Sequence, residues 1–70
     1  MSDASTVAEL AAIADAVDRE LARVRDLATR RAAHAAREGD EDAGDDLLAA
    51  MYEAERVLAT AARIVRRAAR

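Results

Sequence analysis

Seventy residues with a net charge of −3 make one small domain, near the lower limit of what a single core can stabilise. Without cysteine there is no disulfide framework, no thiolate nucleophile and no zinc site of the usual kind. No apolar run approaches the roughly 18 residues of a membrane-spanning helix, and Met1-Ser2-Asp3-Ala4-Ser5 has neither the basic start nor the apolar core of a signal peptide, so the expected compartment is the cytoplasm.

The first expected element is a helix over residues 6–38. Thr6-Val-Ala-Glu9 has the spacing of a capping box, with Asp3 and Ser5 as alternative caps. Seven-residue periods follow. Leu10, Val17, Val24 and Arg31 form one row, Ile13, Glu20, Leu27 and His34 the next, and Ala14, Leu21, Ala28 and Ala35 a third. Three apolar positions in seven make the stripe of a core-facing bundle helix, wider than a two-stranded coiled-coil seam. Asp15, Asp18, Arg19, Arg25 and Asp26 fall on the face expected to point away.

Glu38-Gly-Asp-Glu-Asp-Ala-Gly-Asp-Asp46 is the only breaker cluster and contains both glycines. Gly39 is placed to end the first helix in the left-handed conformation, and residues 39–43 read as an acidic turn. A calcium loop is the sharper reading of that turn, and it fails the EF-hand pattern. Counted from Asp40, glycine comes one place early and Met51 stands where glutamate is needed. Counted from Asp42, Glu53 fits but Leu47 takes the glycine position. A solvated, helix-capping turn accounts for the acids, and no metal or cofactor is expected.

The second helix is expected over residues 44–69, with an acidic first turn. Its seam reads Leu47, Met51, Ala54, Leu58, Ala61, Val65 and Ala68, widened by Leu48 and Ala62 on one side and by Val57 and Ile64 on the other. A stripe wide on both flanks serves more than one neighbour. Folding the chain at its glycines sets residue i opposite about residue 83 − i. The arginine-rich tail then lies beside Asp15, Asp18 and Glu20, and the acidic start of the second helix beside Arg30, Arg31 and Arg37. Opposite charges meet at both ends, which selects the antiparallel orientation more than it stabilises it. Val7 and Leu10 project past the end of the second helix.

The fold class read from these patterns is all-α: an antiparallel two-helix hairpin, assembled as a homodimeric four-helix bundle. Although 53% of the residues are apolar, 21 residues are alanine, so one hairpin seam has little to bury. The expected dimer interface includes Val7, Leu10, Val17, Val57 and Ile64.

Arg63, Arg66, Arg67 and Arg70 form a basic helical end that could hold phosphate. The net charge of −3 and the single aromatic residue, Tyr52, argue against nucleic acid as the partner. All 11 basic residues are arginine, a skew that reads as codon bias in a GC-rich bacterial genome. His34 would lie near Arg31, Tyr52 and Glu55 in the hairpin. With no nucleophile or second histidine beside it, an Arg31–Glu55 ion pair explains the cluster better than catalysis. Glu20, in mid-stripe, is expected to turn to the rim and meet Arg63 or Arg23. These residues describe a non-enzymatic interaction module, an adaptor, regulator or assembly subunit. A nucleic-acid-binding regulator is the alternative.

Overall fold

The computed structural model describes residues 3–39 and 45–70. Two helices pack side by side, α1 over Asp3–Glu38 and α2 over Asp45–Ala68. At about 1.5 Å per residue, the 36 residues of α1 account for the 56 Å long axis of the molecule, which is only 14 Å across in the other two directions. Arg66 near the end of α2 reaches Asp15 near the start of α1, and Arg25 farther along α1 reaches Glu55. The helices are therefore antiparallel.

Helix α1 begins three residues before Thr6, which lies exposed within it. The Thr6–Glu9 spacing is thus not the entry cap. Asp3 stands in the first turn instead, where its carboxylate opposes the partial positive charge of the helix end. Gly39 ends α1 with φ +67, and its N–H donates to the Ala36 carbonyl at 3.3 Å. An L-residue there meets its own carbonyl, which is why glycine closes this helix. A Cβ at Gly39 would meet nothing within 4 Å, so the cost of a side chain is conformational alone. Gly39→Ala should lower stability by about 1 kcal/mol, measured by chemical denaturation. Stability equal to that of the parent chain would show that the cap does not need the left-handed conformation. Residues 40–43 of the expected acidic turn, and the opening positions of the calcium reading, lie outside the described residues.

The core is narrow and made mostly of alanine. Ala14, Leu21 and Ala28 from α1 and Ala62 from α2 are buried, while Leu10, Val17, Val24, Met51, Leu58 and Val65 are half-buried. Small side chains let the two backbones approach, and larger residues on neighbouring turns fill the sides of the seam. Of the three rows expected to face inward on α1, the alanine–leucine row lies at the centre. The Ile13, Glu20, Leu27 and His34 row is exposed. On α2 the seam is likewise rotated from the expected one: Leu47 and Ala68 are exposed, and Leu48 and Ala62 face α1 in their place. Val7 and Leu10 are half-buried, and with Arg66 beside Asp15 and Asp18 they lie beyond the last turn of α2.

Candidate protein-interaction interface

The two long flanks of the hairpin differ in kind. One carries the ion pairs that bridge the helices. The Arg66 Nη2 donates to Asp15 Oδ1 at 3.2 Å and to Asp18 Oδ2 at 2.5 Å. Arg25 Nε lies 4.0 Å from Glu55 Oε2. Hydrogen bonds to Asp15 and then to Asp18 hold the Arg66 guanidinium above its ordinary pKa. Asp15, Asp18 and Arg25 therefore border α2; they do not point away from it. Seven-residue spacing sets Tyr52, Ala59 and Arg66 along this same edge of α2, and Tyr52 is 49% exposed there.

The opposite flank is apolar. Ile13 and Leu27, one row outside Val17 and Val24, remain 50% and 47% exposed. On α2, Leu47 is 51% exposed, Val57 57% and Ile64 60%. Ala54 and Ala61, half-buried, lie between these residues and the seam. A shallow groove follows this side of α2, lined by Glu53, Arg56, Val57, Thr60, Ala61 and Ile64. An exposed leucine or isoleucine is ordinary when isolated. Five large aliphatic side chains on one flank, with the ion pairs that bridge the helices on the other, form a patch of the kind that marks an interaction surface.

Of the five residues expected at an interface, Val57 and Ile64 are openly exposed. Val7, Leu10 and Val17 are half-buried along α1. Sequence periodicity did not single out Ile13, Leu27 and Leu47 as surface residues, because each fits a core stripe as well as an outward one. Glu20 turns to the rim, where Arg23 Nη1 donates to its carboxylate at 3.2 Å.

The polar cluster differs from expectation. Glu55 pairs with Arg25 and not with Arg31. Arg31 is half-buried, and its Nε is enclosed without a hydrogen-bond partner. His34 lies on the apolar flank and Tyr52 on the charged one, so α1 and α2 do not gather the four side chains into one pocket. Among the four arginines at the end of α2, Arg66 is engaged by the two aspartates and Arg63 donates to Thr60 Oγ1 at 3.4 Å. Arg67 and Arg70 are exposed. Arg30 pairs along its own helix with Asp26 at 2.8 Å. Among the described residues, no three His, Cys, Asp or Glu side chains are grouped to hold a metal ion. No helix among them is long and apolar enough to cross a membrane.

Comparison with protein families, with curated proteins and with solved structures gives no match to this chain.

Proposed function

We propose that this protein is a small helical interaction module, an adaptor, regulator or assembly subunit, that works as a homodimeric four-helix bundle closed through its apolar flank. The observation that carries this reading is the segregation of the two flanks, with Ile13, Leu27, Leu47, Val57 and Ile64 on one and the Asp15–Asp18–Arg66 and Arg25–Glu55 pairs on the other. Surface area supports it. A globular monomer of 7.5 kDa exposes about 4,200 Å², whereas this hairpin exposes 5232 Å². The excess of about 1,000 Å² resembles what each partner contributes to a stable interface. A second copy laid on the apolar flank would bury Val17, Val57 and Ile64, and would bring four helices around one core. The ion-pair flank and the outer arginines would stay in water, available to whatever the assembled module engages.

Sedimentation equilibrium or light scattering tests the reading, with an expected mass twice that of the 7.5 kDa chain. A well-folded monomer at high micromolar concentration would overturn it.

The nucleic-acid reading has weaker support. Arg66 is held by two carboxylates, and the net charge of −3 opposes a polyanion. No salt-sensitive binding to generic RNA or DNA is expected. Submicromolar affinity near physiological salt, lost when Arg63, Arg66, Arg67 and Arg70 are all changed to Gln, would revive that function.

A further inference from the structure

The geometry points to the position and direction of the dimer's two-fold axis: perpendicular to the long axis of the hairpin, at the level of Glu20 and Ala61, with α1 antiparallel to α1 of the partner and α2 antiparallel to its own copy. This rests on the homodimer proposed above and goes on to say how the two copies meet.

A two-fold interface is self-complementary, so a helix lying across such an axis against its own copy must read alike in both directions. The apolar flank of α1 does. Ile13 and Leu27 lie seven residues either side of Glu20, and Val17 and Val24 straddle nearly the same point. The midpoint of Asp3–Glu38 also falls there, between Glu20 and Leu21. The flank of α2 has its own centre. Ala54 and Ala68 lie seven residues either side of Ala61, and Val57 and Ile64 straddle the step between Thr60 and Ala61.

Nothing in the sequence requires these two centres to coincide, and in the hairpin they do. Arg66 bridges Asp15 and Asp18, and Arg25 meets Glu55. Interpolating between those ion pairs sets Glu20 beside Ala61. One perpendicular axis therefore serves both helices. Across it Ile13 meets the partner's Leu27, Val57 meets the partner's Ile64, and the two copies of Ala61 allow close approach.

The remaining features follow from the same operation. The start of α1 extends beyond α2, and the operation carries it over the turn end of the other chain, where Leu47 is exposed. At the axis the Glu20–Arg23 pair of one chain meets its copy, which sets carboxylates and guanidinium groups of both chains around one point. The other two-fold arrangement, with its axis along the bundle, would lay α1 on the partner's α2 and would use neither centre.

The absence of native cysteine allows a direct test. Glu20→Cys and Ala61→Cys should each form a disulfide-linked dimer in a glutathione redox buffer, since axis-related Cβ atoms fall within bonding reach. Ala12→Cys, exposed and off the flank, should not. A second measurement does not depend on disulfides. Arg23→Glu and Glu20→Arg should each weaken self-association by placing like charges at the axis. Their mixture should form the heterodimer at least tenfold more tightly than either variant forms a homodimer. A chain that is dimeric by mass, with Ile13→Cys linking to Ala68→Cys and Glu20→Cys staying reduced, would overturn the axis and leave the homodimer standing. A monomeric native chain would remove both.

Discussion

Leu21→Asp is expected to abolish the folded hairpin. Among the described residues Leu21 is the one large side chain that is buried, and the rest of the buried core is alanine. Removing a buried leucine side chain costs about 2–5 kcal/mol through lost transfer energy and the cavity left behind. An aspartate adds the cost of taking a carboxylate out of water. Arg25, one turn further along α1, already has Glu55 as its partner, and Arg66 is held by Asp15 and Asp18. A domain of this size has only a few kcal/mol of stability to lose. Circular dichroism should show loss of helix at 25 °C and no cooperative thermal transition. Leu58→Asp, at a half-buried position of the facing row, should act in the same direction and also unfold the protein. A cooperative transition retained by Leu21→Asp would mean that the alanine seam alone holds the helices together.

Ile64→Asp should act on the dimer first. Ile64 is 60% exposed in the hairpin, so within one chain the substitution is a surface change worth no more than about 0.5 kcal/mol. Two-fold symmetry would bury it twice, each time as an unpaired charge against apolar neighbours. The dimer dissociation constant should rise at least about a hundredfold, equivalent to about 2.7 kcal/mol, with loss of helix on dilution following dissociation. Tyr52→Asp is the control, because Tyr52 is comparably exposed on the ion-pair flank. That variant should keep the parental mass. Equal dissociation of both variants would show that the interface is not confined to the apolar flank.

Much of the hairpin can be read from the chain alone, for reasons local to each segment. Apolar residues repeating every three or four positions commit both arms to helix, and the only glycines fall between them. Gly39 stands where a left-handed residue closes the first helix, with φ +67. Charge gives the orientation and the approximate register, since the tail arginines have acids to meet only beside Asp15 and Asp18, and Arg66 meets them there. Glu20 on the rim with Arg23 follows from the cost of burying a carboxylate.

The rotation of each helix about its own axis was decided only by the tertiary structure. On α1 the apolar stripe is three rows wide, and a single neighbouring helix covers about two. Periodicity gives the width of such a stripe and leaves its centre undetermined. In the folded hairpin the Ala14–Leu21–Ala28 row takes the centre because alanine permits the closest backbone approach, and this turns Ile13 and Leu27 outward. The same rotation brings Asp18 and Arg25 to the edge of α2 and gives Glu55 to Arg25, leaving the Nε of Arg31 without a partner. Side chains one row apart differ little in sequence pattern. Whether they face the seam or the flank depends on how closely two backbones can pack, a property of the pair of helices that neither carries by itself.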